Sequence, residues 1–398
     1  MPILHKIAFI SALCAASASA AMAQDAGLFV GWETRFDAEA VIVLAPGLEE
    51  DANFKQEAAL YELSFKARAE KTLDNGAEIG ARATLRIQRD HPMRAGFSGQ
   101  LDDGSGLPAT RGAFSGLASG GAAKDIGARG SLETAFIYIE GGYGEVTLGR
   151  DLGVAARFHE GAPDVFTHAR VADGYLDPSG LNIVRTRNDL TGPAAKISYT
   201  SPRILGVRAG VSYTPDANVR GLDRDPARAA SGVVRPALKN AVEVGVQASR
   251  RLTEAKVRLR GSLTYARAEV DNPFVGAGFQ AVQTSSIGAE AEWETFSIGA
   301  SALSSNNGID GSGDYSAWSI GVKTAAFGAD WSANYGEASD DGAGLEGENW
   351  AIGASREMSQ NLRISAGWQS ESLQILQFTS ASQNLNADGA VVEITLSY

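Results

Sequence analysis

A closed antiparallel barrel of sixteen membrane-spanning strands is what these 398 residues specify, all-β and without a helical domain. Three features of the chain say so. Apolar and polar residues alternate with period two over most of its length, as strands with one greasy and one wet face require. The stretches between alternating runs are short and long in strict turn, so tight turns gather on one side of the sheet and long loops on the other. Aromatic residues collect near the ends of the runs. Beyond residue 23 nothing approaches the roughly eighteen consecutive apolar residues of a spanning helix, so helical transport machinery is excluded. The net charge of −12 disfavours nucleic acid, because a phosphate-tracking protein needs a basic face.

The first segment reads as a signal peptide spanning residues 1–23. His5 and Lys6 begin it, Ile7 to Ala16 form its apolar run, and Ala21-Met22-Ala23 precedes a new start at Gln24. Cys14, the only cysteine, falls inside it, and Leu13 before it does not fit a lipoprotein site. A mature chain of residues 24–398 is therefore expected to have no thiol, disulfide or lipid anchor.

From Leu28 the series Val30, Trp32, Thr34, Phe36, Ala38 opposes Gly31, Glu33, Arg35, Asp37, Glu39. Tyr61, Leu63, Phe65, Ala67 then oppose Glu62, Ser64, Lys66, Arg68, and Asp74-Asn75-Gly76 supplies turn chemistry. Ile79 to Ile87 follow the same pattern with Arg82 and Arg86 on the polar side. In 131–151 both faces are apolar, with Phe136 and Tyr138 opposite Ala135, Ile137 and Ile139, and Arg150 has the wrong parity. Late in the chain Trp350, Ile352, Ala354, then Leu362, Ile364, Ala366, Trp368, and finally Val392, Ile394, Leu396, Tyr398 restore the alternation. Long connections are expected at 41–56, 89–130, 151–193, 215–239, 269–283, 304–314, 337–347 and 371–387, with seven short turns between them. An even strand number with that asymmetry fits an outer-membrane barrel, which must close so that no backbone edge meets lipid.

A soluble sandwich would scatter its aromatics along the apolar face. Here Trp293, Phe296, Phe327 and Tyr398 lie beside short turns, and Tyr213, Tyr265, Tyr335, Trp350 and Trp368 beside long loops. Two interfacial girdles account for that placement. Sixteen strands also leave an aqueous lumen, so passive diffusion of small hydrophilic solutes is the expected activity.

The run from Glu133 to Arg150 resembles the AFxxLxGxFGxVxxGR hairpin of the general trimeric porins of Gram-negative bacteria, of the alphaproteobacterial or betaproteobacterial type. Its departure is Ile137-Tyr138, where small residues stand in that pattern; the 89–130 loop is also unusually long. Asn188-Asp189, Lys196 to Pro202, Gly206-Val207 and Tyr213 are similar to the segment that follows the constriction loop in the same family. The resemblance implies a homotrimer in the outer membrane, among lipid and lipopolysaccharide, with Tyr398 read by the assembly machinery. It also implies that the third long loop, 151–193, folds inward as a constriction loop.

That loop carries the candidate acids Glu160, Asp164, Asp173 and Asp177, with Asp151, Arg157, His159, His168 and Arg170 among them. Fixed charge of the other sign is expected on the facing wall, to set a transverse field. Arg35, Lys66 and Arg82 face inward on three consecutive strands, on the order of 12 to 19 Å above the short-turn end at a strand rise of about 3.3 Å and a tilt of about 45°. Arg68 and Arg86 point the same way at other heights.

No cofactor is expected. Asp310 to Asp314 has oxygen-rich spacing, and Asp340, Asp341, Glu346 and Glu348 form a second acidic stretch, so loosely held Ca²⁺ is the most that these predict. Only His91, His159 and His168 remain after the signal, all in predicted loops and without a G-x-S-x-G elbow, which argues against a hydrolase. A substrate-selective channel for sugars or anions is the closest rival reading, and a structural or adhesive barrel a more distant one. The lumen-facing charges nearly balance and the net charge favours cations slightly, so the sequence does not fix ion selectivity.

Overall fold

The computed structural model describes residues 31–46, 48–50, 59–91, 94, 112–117, 127–224, 236–271, 278–311, 313–376 and 383–398. The expected signal peptide, Leu28, Val30 and most of the 89–130 connection lie outside the described residues. Sixteen strands run in sequence: β1 (Glu33–Leu44), β2 (Leu60–Thr72), β3 (Glu78–Arg89), β4 (Arg129–Gly141), β5 (Gly144–Asp151), β6 (Ala194–Thr200), β7 (Val207–Asp216), β8 (Ala237–Leu252), β9 (Val257–Asp271), β10 (Val282–Glu292), β11 (Phe296–Ser305), β12 (Tyr315–Ala326), β13 (Ala329–Asp340), β14 (Leu345–Ser359), β15 (Leu362–Ile375) and β16 (Gln383–Ser397). Each pairs antiparallel with its neighbour in sequence. Glu49–Glu50 adds a two-residue bridge at the loop end of β16.

The ring closes between β1 and β16, in register from Glu39 opposite Ser397 to Leu44 opposite Val392. Ala38 and Tyr398 exchange backbone hydrogen bonds of 2.9 and 2.8 Å, so the chain terminus completes the seam. No strand edge is left to face lipid, where an unpaired N–H or C=O costs several kcal/mol.

Burial is inverted relative to a soluble protein. On β8 to β10 the inward residues Glu243, Thr264 and Ser286 are buried, while Ile287 and Leu263 on the outer face are each 59% exposed. The turn at 73–77 follows its chemistry: Gly76 takes φ +79°, and the Asn75 side chain accepts a 3.0 Å bond from the Ala77 N–H. Trp293 stacks on Phe296 at 5.7 Å at the short-turn rim, and Trp318 on Tyr335 at 5.4 Å near the other.

Three expected boundaries shift, one of them at 371–387, where β15 continues to Ile375 and β16 begins at Gln383 with the two strands paired throughout. β1 continues to Leu44, because Val41 and Val43 point inward and find an apolar partner in Val165, Phe166 and Leu60. The expected 337–347 loop is a four-residue turn at 341–344. Its acidic stretch therefore splits: Asp340 turns inward, bonded by Asn307 and the Ala343 N–H, while Glu346 and Glu348 project outward from β14. In the 131–151 hairpin Tyr138 points inward and Ile137 and Ile139 outward, while Arg150 keeps its outward parity opposite Ala135 and a register shift at Glu133 interrupts the alternation.

Towards the long-loop end the inner wall is apolar rather than polar. Leu238, Val282, Leu303, Leu345 and Leu373 face inward and pack on Phe114, Leu117, Leu181, Ile183 and Leu190 from loops folded into the barrel. An arginine at outward Ile287 tests the inverted burial: it is expected to lower stability by about 2–4 kcal/mol if that position lies near the bilayer midplane. Denaturant titration of folding into lipid vesicles reads the change, and unchanged stability would mean that this face does not meet lipid.

Candidate functional site

The loop between β5 and β6, residues 152–193, lies inside the barrel as a doubled ribbon along the wall. Its outgoing half passes β7 to β16 in order. Val154 N–H donates to Ser212 Oγ at 2.9 Å, Glu160 N–H to Ser262 Oγ at 3.1 Å, and Val165 N–H to Ser332 Oγ at 3.2 Å. Its returning half retraces the path nearer the long-loop end. There Arg185 N–H donates to the Tyr315 hydroxyl at 2.8 Å, Ser301 bonds Thr186 at 2.8 Å, and Thr191 bonds Glu243 at 2.9 Å.

Inward glycines make the wall thin where the ribbon lies. A Cβ at Gly288 would stand 1.8 Å from the Glu160 carbonyl oxygen, one at Gly299 2.5 Å from that of Gly161, and one at Gly353 2.7 Å from the Phe166 ring. Gly210 and Gly245 likewise leave room for Phe158. The sequence signal for these glycines is their inward parity on several strands of the wall.

Carboxylates then fix the ribbon. Glu393 on β16 accepts the successive N–H groups of Thr167, His168 and Ala169 at 2.8, 2.9 and 3.0 Å. Asp177 accepts those of Ser179, Gly180 and Asn182 at 3.1, 2.8 and 3.0 Å. Asp173, at φ +58°, accepts from Thr186 N–H and Arg187 N–H at 3.0 Å each, clipping the two halves together. Burial alone would raise Asp173, yet His159 at 3.6 Å, Arg187 and Arg185 outweigh it and hold the carboxyl at about 2. Burial lowers His159 itself to about 4, and raises Asp164, bonded to Phe166 N–H and Ser332, to about 6. It raises Asp177 as well, with Arg94 opposing. Asp173 and Asp177 thus spend their oxygens on the loop's own backbone. Glu160 accepts from Gln247 at 2.7 Å, and Asp164 stays half-buried against the wall.

The tip of the ribbon meets β2 and β3. Arg86, buried, joins Glu62 and, at 2.6 Å, Glu133, and its guanidinium lies 4.2 Å from the Tyr175 ring centroid. His168 adds a 3.2 Å contact to Glu62. Arg86 is therefore a fastening for the loop rather than an open cation.

The remaining basic residues lie clear of the ribbon. Strand register sets Arg35 directly opposite Arg68, and Arg68 directly opposite Arg82, so these three form one row across β1, β2 and β3. Lys66 sits one pleat along, opposite Asp37 and Thr84. Arg68 thus belongs within the patch and not at another height. Arg35 is exposed at the short-turn rim, beyond the last pair with β16, and bonds Asp37 at 2.9 Å; this corrects its mid-height placement. It shares with Lys66 an open cleft of about 270 Å³ bordered by Asn361 and Tyr398. Among the described residues, no hydrogen bond or ion pair joins Arg35, Lys66, Arg68 or Arg82 to the loop.

Among the described residues no three His, Cys, Asp or Glu side chains gather as metal ligands do. Asp310 and Asp314 are held by backbone contacts, through Gly278 and Asp341 respectively.

Two outcomes check the ribbon. Valine at Gly288 must displace the Glu160 backbone, so trypsin is expected to cut the folded variant after Arg157 or Arg170 at least several-fold faster than the parent; equal rates would refute the tight seat. For Asp173, depressed below the roughly 3.9 of a free aspartate, stabilisation is complete above about pH 4 and lost as pH falls through about 2. Pepsin cleavage within the loop is expected to accelerate across that window, and in Asp173→Asn to be fast already at pH 4.

The model of the Gram-negative porin family matches residues 10–374. No curated protein matches the chain. Solved structures share the fold at low identity. An anion-selective porin from Comamonas acidovorans is 13% identical at a TM-score of 0.54, covering 92% of this chain and 100% of its own. OprB of Pseudomonas putida is 12% identical at 0.58, covering 92% and 94%, and OmpF of Salmonella typhi in complex with daunomycin is 11% identical at 0.58, covering 92% and 98%. With a closed sixteen-strand barrel and a family match across most of its length, this chain belongs to the Gram-negative porins and forms an outer-membrane channel for passive diffusion.

Proposed function

We propose that loop 151–193 narrows this channel to a passage bounded by Lys66, Arg68 and Arg82 on one side, with Arg35 at its short-turn mouth, and by the ribbon with Glu160 and Asp164 on the other. Small hydrophilic solutes and ions diffuse through it with a modest preference for anions. The observation that carries this reading is the contrast in charge pairing. Asp173 and Asp177 are consumed by backbone N–H groups, whereas Lys66 and Arg82 have no carboxylate partner among the described residues. Like charges set directly opposite across strands cost stability, so such a row is explained by what it does to passing ions. Arg86, Asp173 and Asp177 act here by holding the loop. No cofactor enters the reading, and residues 1–23 are removed on export, leaving 24–398 as the barrel.

The assembly is a homotrimer, with β3, β4 and β5 towards the partners. Their outward residues Ala81, Ala83, Leu85, Leu132, Ile137, Ile139, Val146 and Leu148 form an apolar arc, broken by Arg150 and with Tyr143 at its rim, that lacks the dense aromatic girdle carried by β10 to β15. Tyr398, exposed at the rim, suits recognition by the assembly machinery, and lipopolysaccharide meets the outward Glu346 and Glu348.

Single-channel recording in a planar bilayer under a salt gradient tests the reading. Large steps closing in threes, and a reversal potential of anion sign that Arg82→Glu moves towards cations, are expected. Cation preference in the parent would overturn the selectivity, and small conductance blocked by one sugar would replace it with a substrate-specific channel.

A further inference from the structure

We infer that Tyr138 is the positioning residue that leaves Arg82 unopposed, by withdrawing Glu70 and Glu78, the acids beside it on β2 and β3, from the passage. This deepens the proposed function and rests on its selectivity reading. Tyr138 points inward from β4 and is 4% exposed. Its ring lies flat over β3 at Gly80, where a Cβ would stand 2.5 Å from two ring carbons and from the phenol oxygen, so only glycine admits it. The phenol oxygen thereby crosses β3 and lies 2.6 Å from Glu78 Oε1 and 3.0 Å from Glu70 Oε2 on β2.

One hydroxyl proton serves one carboxylate at a time, and the second is met by Arg68, which pairs with Glu70 and approaches Glu78 at 3.8 Å. On the ring's face sits the Arg82 guanidinium, its carbon 4.6 Å from the centroid. Arg82 Nε has no hydrogen-bond partner in the structure. The tyrosine therefore divides the cluster: Glu70, Glu78 and Arg68 are tied together towards the short turn, and Arg82 is held apart from both acids on an aromatic surface. Without the hydroxyl, Glu78 loses its 2.6 Å donor and becomes free to turn towards Arg82, two pleats along the same face of the strand. Ile137-Tyr138, the hairpin's departure from the small residues of the family pattern, is what supplies this group.

Tyr138→Phe keeps the ring over Gly80 and removes only the hydroxyl. In the bilayer assay its chloride-to-potassium permeability ratio is expected to shift about twofold towards cations, at a single-channel conductance close to the parent's. Adding Glu78→Gln to Tyr138→Phe is expected to restore the parent's ratio, whereas Glu78→Gln alone leaves it nearly unchanged because that carboxylate is already withdrawn. Such non-additivity is the mark of action through the acid. An anion-preferring parent whose ratio is untouched by Tyr138→Phe overturns the inference. So does a Glu78→Gln shift as large in the parent as in Tyr138→Phe. A parent without anion preference whose Tyr138→Phe form still moves towards cations overturns the selectivity reading and leaves the positioning role standing.

Discussion

Everything in this molecule depends on one requirement: in hydrocarbon, each backbone N–H and C=O must find its partner within the protein. A sheet satisfies that only by closing, and the closure is made by β1 with β16, sealed by the reciprocal bonds of Ala38 and Tyr398. Once the ring exists, side-chain parity has a single meaning. Outward residues meet lipid and must be apolar, as Ile287 and Leu263 are, and inward residues meet water or a loop. Hydrophobic burial does not hold the barrel in the way it holds a soluble core; the ladder does.

An empty sixteen-strand ring would be wide, and the second level of structure fills part of it. The 152–193 ribbon has almost no regular structure of its own, so its shape must be imposed from outside. Glycines at 288, 299 and 353 bring the wall close enough for contact, and Glu393 catches three consecutive N–H groups. Asp173 and Asp177 do the same from within the loop. Carboxylates suit this because an ionised group accepts several strong bonds at once. In the ribbon's returning half Arg185 joins Asp189 and, beyond the ribbon, Asp223, and Arg224 joins Asp189; burial would raise both acids, but the arginines outweigh it and keep them ionised. The ordering entropy of a forty-residue loop is thus offset by many charge-assisted bonds.

The charges left over define what passing ions meet. Of the inward basic residues on β1 to β3, Arg86 is closed off between Glu62, Glu133 and the Tyr175 ring, and Arg68 is drawn towards Glu70. Lys66 and Arg82 remain, with Arg35 at the rim. Formal net charge therefore misleads about the passage: the chain is acidic as a whole, but many of its acids are engaged in holding structure.

Strand number, parity, the chemistry of the 73–77 turn and the aromatic rims were determined by the sequence alone, because alternation and turns are local and each is imposed by lipid on one side and water on the other. The inward orientation of Arg35, Lys66, Arg82 and Arg68 followed from the same local rule. Tertiary structure alone decided which of them stand together, since pairing depends on register between strands, and register put Arg68 between Arg35 and Arg82. It also decided that Asp173 and Asp177 face their own backbone, that Arg86 fastens the loop, and that 341–344 is a tight turn. Each of those outcomes joins groups distant in sequence, such as Glu393 with Thr167 or Tyr138 with Glu70, and distance in sequence leaves no periodic trace. The path of an irregular loop is set by the wall that receives it, and that wall exists only once the ring has closed.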